Sequence, residues 1–171
     1  SVYGVFELGM NHAGEITPLS RMVRPHVAII TNVELVHLEF FASLGEIADA
    51  KAEIFAGLQP GGVAILNRDN TYFTHLETAA KAAGAGRIIS FGAHEAAEVR
   101  LIELAQHPTC NCIFADIDGQ AVTYKVGAPG RHWAINSLAV LAAVRALSAD
   151  LGLAALAMAD VLPTSGRGER H

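Results

Sequence analysis

The sequence has little of what defines several common protein classes. Its 171 residues include only two cysteines, and no apolar run approaches the length of a membrane span. Two cysteines are too few for a zinc site built from four thiolates. We therefore expect Cys110 and Cys112 to be packed, reduced thiols in a cytoplasmic protein. The net charge of −5 argues against a general nucleic-acid-binding surface.

Two catalytic motifs are also missing. The chain contains no Gly-x-x-x-x-Gly-Lys-Ser/Thr phosphate loop and no Gly-x-Ser-x-Gly nucleophile elbow. If the protein uses a nucleotide, its main phosphate loop is therefore expected outside these residues. Ser1 leads directly into an apolar run, and the Gly- and Arg-rich stretch 165–170 has no terminating element. We interpret the chain as a fragment of a longer enzyme.

The sequence does contain a regular alternation of short apolar runs and helical patterns, which predicts an α/β fold with a mostly parallel sheet flanked by helices. The predicted strands of this part are 2–8, 28–31, 63–66 and 87–91. The predicted helices between them are 15–23, 43–58 and 71–83. Residues 98–127 predict an antiparallel meander at one edge, with Asp118-Gly119 as its clearest turn. Helices over 131–148 and 153–160 end the pattern.

One stretch, residues 28–58, combines a buried strand, a polar turn and an amphipathic helix. Ser43 and Glu46 have the spacing of a capping box at the start of that helix. Lys51 falls on the apolar stripe of the helix, where an ammonium is costly unless it reaches water or a partner. The lysine either extends its amine to solvent or faces a ligand site. A neutral amine could also add CO₂ and become a carbamate, which is an oxygen ligand for metal.

Further candidate ligands follow the predicted strands. Glu7 ends the first strand, where its carboxylate could bind Mg²⁺ or cap the next helix or loop. His37 and Glu39 share the loop after the second strand, although a hydrogen-bonded imidazole is the more common role there. The Asn32 amide begins the same polar turn.

Two positions near the end of the chain could contact a nucleotide. His132 and Asn136 lie four residues apart, and therefore on one helix face, where they could flank a planar base or cap the first turn. Arg167 could bind a phosphate through two parallel hydrogen bonds, or lie in a solvated tail.

Together these segments resemble the motifs of the Mur ligases, in the family's order. The matching segments are 7–16, 31–39, 42–44, 50–55, 65–70, 129–136 and 166–167. Seven matching segments in order are far more specific than any one of them. Trp133 departs from the asparagine usual in the family, and Phe40 and Ala42 replace common glycines. Residues 1–171 would then be a partial central ATP-binding domain, lacking the phosphate loop and the N- and C-terminal domains.

The resemblance implies an ATP-dependent ligase of peptidoglycan precursor synthesis. ATP would phosphorylate the carboxylate of UDP-MurNAc-tripeptide, and the amine of D-alanyl-D-alanine would attack the acyl phosphate. In the family the residues matching Glu7 and His37 bind Mg²⁺, and a carbamylated lysine matching Lys51 supports a second Mg²⁺. The residues matching Asn136 and Arg167 contact ATP.

Within this resemblance we take Lys51 and His37 as catalytic, and Asn32 and His132 as further ATP contacts. The chain alone is expected to be inactive.

Two other interpretations remain. The chain could belong to another ligase of the same superfamily, such as a folylpolyglutamate synthase, or it could be a non-catalytic α/β binding module. Catalysis requires Glu7, His37 and Lys51 to converge within about 10 Å, because ligands of one or two neighbouring metals must meet.

Overall fold

The computed structural model describes residues 3–34 and 41–162. Its strands are β1 (Val27–Ile30), β2 (Val63–Asn67), β3 (Arg87–Gly92), β4 (Val99–Gln106), β5 (Asn111–Ile117) and β6 (Gln120–Val126). Its α-helices are α1 (Ile16–Val23), α2 (Leu44–Ala52), α3 (Phe73–Ala82), α4 (Arg131–Ala146) and α5 (Leu151–Ala157), with 3₁₀ helices at Glu53–Gly57 and Met158–Asp160. The six strands form one sheet in chain order. The predicted α/β class with a mixed sheet is confirmed.

The chain divides into two compact units, and the first comprises residues 1–90. Here β1 and β2 are parallel, with Val27 opposite Val63 and Ile30 opposite Leu66. Both strands are apolar, and Ala64, Ile65 and Leu66 are completely buried, as expected for a strand covered on both faces. Because the two strands run in the same direction and in register, the turns that follow them leave the sheet side by side.

The second unit comprises residues 91–171. The end of β3 pairs in parallel with the start of β4 over two residue pairs, and β4, β5 and β6 form an antiparallel meander. One face of the meander is apolar and buried, as the alternating burial along β5 shows. Helix α4 packs against all three meander strands. The predicted strands of the meander are confirmed.

The predicted strand over residues 2–8 is wrong for the residues that the structure describes. Residues 3–10 adopt no strand, and Tyr3, Val5 and Phe6 are 57%, 97% and 64% exposed. An extended segment becomes a strand only when a neighbour satisfies its backbone groups. In the described ranges no strand pairs with this segment. The apolar run alone therefore misled the prediction.

Two further expectations need correction. The predicted helix 43–58 ends as an α-helix at Ala52 and continues as the 3₁₀ helix Glu53–Gly57. Such tightening is common in a last helical turn. The expectation of packed thiols is wrong for Cys112, which is exposed, whereas Cys110 is partly buried. Both cysteines are free.

No helix in the described part of the chain is long and apolar enough to cross a membrane.

Candidate active-site framework

Asparagine side chains join the turns that follow β1 and β2. The Asn67 amide nitrogen donates to the Thr31 carbonyl at 2.9 Å. The Asn70 amide nitrogen donates to the Asn32 side-chain oxygen and to the Val33 carbonyl. An amide group both donates and accepts, so a few side chains can lock two turns without adding charge. The carboxyl ends of β1 and β2 therefore carry a hydrogen-bonded polar framework, the position where α/β sheets bind ligands.

The side chain of Asn32 is fully engaged in this framework. Its oxygen also accepts from the Val33 backbone N–H, and its nitrogen donates to the Glu34 carboxylate. The predicted role of Asn32 in binding a cofactor stays a prediction. In the structure its amide positions the turn and the Glu34 carboxylate.

Lys51 lies at the end of α2, partly buried on the stripe formed with Leu44 and Ile47. Ser43 caps the start of this helix by accepting from the Glu46 N–H, as the sequence predicted. Burial lowers the pKa of the Lys51 ammonium, and the negative charge of Glu34 opposes that shift. Asn32 therefore donates to the carboxylate whose negative charge also acts on Lys51.

The loop between residues 9 and 16 is organised by two carboxylates. Glu15 accepts from the N–H groups of Asn11 and His12 at 2.7 and 3.2 Å, and from the His12 ring. The backbone hydrogen bond from Asn11 is the largest cause of the lowered pKa of Glu15. Glu53 accepts from the N–H of Gly14 and from both the N–H and the hydroxyl of Thr17. Glu53 therefore binds the start of α1, 36 residues earlier in the chain.

Helix α1 and the 3₁₀ helix Glu53–Gly57 are in close contact. The Ser20 hydroxyl donates to the Ile54 carbonyl and accepts from the Gly57 N–H. A Cβ on Gly57 would lie 2.1 Å from the Ser20 carbonyl oxygen, so only glycine fits there. This contact fixes the end of the helix that carries Lys51.

In the second unit, the start of α4 carries His132 and Asn136. Both side chains are exposed, as a contact with a nucleotide requires. Gly130 precedes the helix with a φ of +102°, and no side chain caps the helix. The ring of Trp133, which is partly buried, lies 5.7 Å from the His132 ring, centroid to centroid.

The described residues do not by themselves form a complete metal site. In ranges 3–34 and 41–162 no three histidine, cysteine, aspartate or glutamate residues are grouped to hold a metal ion. Glu7 is an exposed residue of the segment before α1, and an unmodified Lys51 amine cannot serve as an oxygen ligand. His37 and Arg167 lie outside the described residues, as does Phe40. We therefore derive no catalytic step through a metal.

Sequence reasoning missed two residues that organise these segments, one in each unit. Glu53 is two residues beyond Lys51, so helical spacing predicts that it points away from the Lys51 face, as a loop or phosphate-side partner at best. Asn111 was not singled out, although it is completely buried in β5. A polar amide inside an apolar, alternating strand is the signal that could have drawn attention to it.

The sheet, with its parallel strands, antiparallel meander and flanking helices, defines an α/β protein. The profile of the Mur ligase middle domain matches residues 1–144. The chain belongs to the Mur ligase family.

Individual relatives agree with this assignment. The chain is 35% identical over 167 residues to the UDP-N-acetylmuramoyl-tripeptide–D-alanyl-D-alanine ligase of Rickettsia prowazekii, covering 98% of this chain and 37% of the relative. It is 33% identical to the UDP-N-acetylmuramate–L-alanine ligase of Streptomyces coelicolor, covering 95% and 34%. The crystal structure of MurF from Acinetobacter baumannii superposes with a TM-score of 0.86 at 30% identity, covering 94% and 34%. The chain thus spans little more than a third of these relatives.

Proposed function

We propose that this chain is part of an ATP-dependent ligase that joins D-alanyl-D-alanine to UDP-MurNAc-tripeptide in peptidoglycan precursor synthesis. The observation that carries the proposal is the match to the Rickettsia prowazekii ligase, which extends over 98% of the chain. The acyl phosphate route explains the need for ATP: phosphorylation turns a carboxylate oxygen into a leaving group, and the dipeptide amine then displaces it. We place the enzyme in the cytoplasm.

Lys51 is central to the proposed site. Its amine is the nucleophile that would attack CO₂, forming an N–C bond and releasing one proton to give a carbamate. Only the neutral amine has the required lone pair, and burial lowers the Lys51 pKa in the direction that favours it. With Glu7 and His37, the carbamate would hold the two Mg²⁺ ions that the family uses. Mg²⁺ would supply charge stabilisation for the transferred phosphoryl group.

ATP would be contacted by Asn32, His132, Asn136 and Arg167. Support from the structure is the exposure of His132 and Asn136 on one face of α4. An imidazole and an amide on adjacent helical turns can contact a planar base and the sugar beside it.

The test uses the full gene product that contains this chain. Incubation with ATP, Mg²⁺, UDP-MurNAc-tripeptide and D-alanyl-D-alanine should release ADP and phosphate and yield the UDP-MurNAc-pentapeptide by mass. Lys51→Met should abolish the product, whereas Lys81→Met, which removes an exposed lysine paired with Glu77, should leave the rate unchanged. Absence of product with both lysines present would refute the proposal.

A second candidate activity follows from the match to the Streptomyces coelicolor ligase. The same protein should then join L-alanine to UDP-N-acetylmuramate. Parallel assays, one with UDP-MurNAc-tripeptide and D-alanyl-D-alanine and one with UDP-N-acetylmuramate and L-alanine, decide between these activities, because each pair of substrates gives a product of different mass. A protein that binds neither nucleotide nor substrate would instead be a non-catalytic module.

A further inference from the structure

The amide of Asn111 is buried where the meander meets the start of α4. Asn111 is 0% exposed, at the beginning of β5. Its side-chain nitrogen donates to the Ala128 carbonyl at 2.8 Å and to the Gly130 carbonyl at 2.9 Å. Its side-chain oxygen has no hydrogen-bond partner within the described residues. Burying an amide whose oxygen has no partner costs free energy. The role of this residue must therefore lie in the two hydrogen bonds that its nitrogen donates.

These two bonds fix the turn that leads into α4. The Gly130 carbonyl accepts from Asn111 and also from the Trp133 N–H at 3.1 Å. Because no side chain caps α4, the Asn111 amide is the side-chain contact that ties this turn to the sheet. Loss of the amide would remove its hydrogen bond to the Ala128 carbonyl and leave the Gly130 carbonyl with the Trp133 N–H alone, just before the helical turns that carry His132 and Asn136.

A second contact fixes the rotation of α4 about its axis. The Tyr124 hydroxyl of β6 and the Ser137 hydroxyl are 2.8 Å apart, and Ser137 also donates to the Ala134 carbonyl. Ser137 and Ala134 are buried, whereas His132 and Asn136 face outward. One contact therefore sets where the helix begins, and the other sets which face it exposes.

We propose that Asn111 is a positioning residue for nucleotide binding, which it supports by holding the Ala128–Gly130 turn and thereby the place of His132 and Asn136. This inference rests on the proposed contact of those two residues with ATP. Asn111 itself is too buried to touch the nucleotide. If Asn111 only stabilised the core, its substitution would lower stability, but it would change nucleotide affinity no more than the substitution of another core residue does.

The test compares Asn111→Leu with Ile113→Val in the full gene product. Leucine has the branched shape of asparagine and the same number of side-chain heavy atoms, although it is larger, and it has no donor for the two carbonyls. Ile113 lies two residues along β5 on the same buried face, so its truncation perturbs the same core without touching the turn. Binding of a non-hydrolysable ATP analogue is measured by calorimetry, and thermal unfolding is measured alongside. We expect Asn111→Leu to weaken binding at least about tenfold and Ile113→Val less than about twofold.

A double-mutant cycle tests whether Asn111 acts through the helix. If it does, Asn136→Ala combined with Asn111→Leu should weaken binding no more than the stronger single variant, because both remove the same contact. Independent, multiplying losses would overturn the proposal. So would equal losses in Asn111→Leu and Ile113→Val. Should Asn111→Leu fail to fold, Asn111→Ser, which keeps one short donor, carries the same comparison.

Failure of the inference can be told from failure of the proposed function. If the unchanged protein does not bind the analogue, the proposed function fails, and the Asn111 proposal fails with it. If the unchanged protein binds and Asn136→Ala weakens binding, but Asn111→Leu does not, the Asn111 proposal alone is overturned. Faster hydrogen exchange in the first turn of α4 in Asn111→Leu, with the last turns unchanged, would support it.

Discussion

Removal of the Glu53 carboxylate should loosen the start of α1. The carboxylate accepts from the Gly14 N–H at 2.5 Å, from the Thr17 N–H at 3.0 Å and from the Thr17 hydroxyl at 3.1 Å. Hydrogen bonds to a charged acceptor are worth about 1.5–3 kcal/mol each when buried, and less when water can replace them. Gly14 is exposed and Thr17 is partly buried, so water compensates for part of the loss. We expect Glu53→Ala to lower the free energy of unfolding by about 1.5–3 kcal/mol.

The measurement is urea unfolding of the chain, with hydrogen exchange followed at the Gly14 and Thr17 amides. Glu53→Gln keeps the shape of the side chain but turns one acceptor into a donor, so its loss should be similar or slightly smaller. Glu77→Ala is the matched control, because Glu77 makes an ion pair with Lys81 within one helix, worth about 0.3–0.5 kcal/mol. Equal losses for Glu53→Ala and Glu77→Ala would refute the role given to Glu53.

Three further predictions follow from the same structure. Lys51→Met should not lower the thermal midpoint near neutral pH. Because the Lys51 pKa is lowered on folding, the folded state releases this proton at a lower pH than the unfolded state does. The buried ammonium therefore destabilises the folded state fully below the folded pKa, and this destabilisation is relieved as pH rises toward 10.5. The unchanged chain should therefore gain stability relative to Lys51→Met over that alkaline window; a flat difference between the two would contradict the burial. Gly57→Ala should destabilise the chain by at least about 2 kcal/mol, because the new Cβ would meet the Ser20 carbonyl at 2.1 Å. Gly45→Ala on α2 would place its Cβ 3.6 Å from the Ser43 hydroxyl oxygen, an ordinary contact, and should be neutral or stabilise by up to about 1 kcal/mol. The stability of both variants is measured from their denaturant midpoints. Burial raises the pKa of Tyr124 to about 12. Its neutral form therefore adds stability that is present below pH 10 and is lost as pH rises through about 12, and Tyr124→Phe should remove the last tyrosinate absorbance step; a loss of amplitude from the step near pH 10 instead would show the ring to be solvated.

Local sequence signals predicted those elements well whose structure depends on contacts between neighbouring residues. Ser43 and Glu46 marked the start of α2, and Asp118-Gly119 marked the hairpin turn, where both residues have positive φ. In each case the deciding contacts lie within a few residues. The strand prediction for residues 3–8 was wrong because a strand needs a pairing partner elsewhere in the protein, and an apolar run does not supply one.

The hydrogen bonds that hold the candidate site could not be predicted from the sequence, because they too join residues far apart in the chain. Glu53 binds Thr17 across 36 residues, and Asn70 binds Asn32 across 38. Neither pair has a local spacing that would mark it. The first contact is set by the packing of α1 against the 3₁₀ helix, and the second by the parallel register of β1 and β2. A sequence can therefore indicate which residue types carry the chemistry long before it indicates what holds them.

The use of amides at the strand ends has a consequence for charge. Asn32, Asn67 and Asn70 join the turns without adding charge, and Asn32 also donates to Glu34, whose charge acts on Lys51. A neutral framework does not compete electrostatically with an incoming anion or cation, whereas a framework of ion pairs would have to be broken first. Because the Lys51 pKa is governed by burial against one carboxylate, neutralising that carboxylate should lower the pKa further. Glu34→Gln should therefore increase the fraction of neutral Lys51 amine, which can be followed by its faster reaction with an amine-specific acylating reagent at fixed pH. An unchanged or slower rate would show that Glu34 does not set the charge state of this lysine.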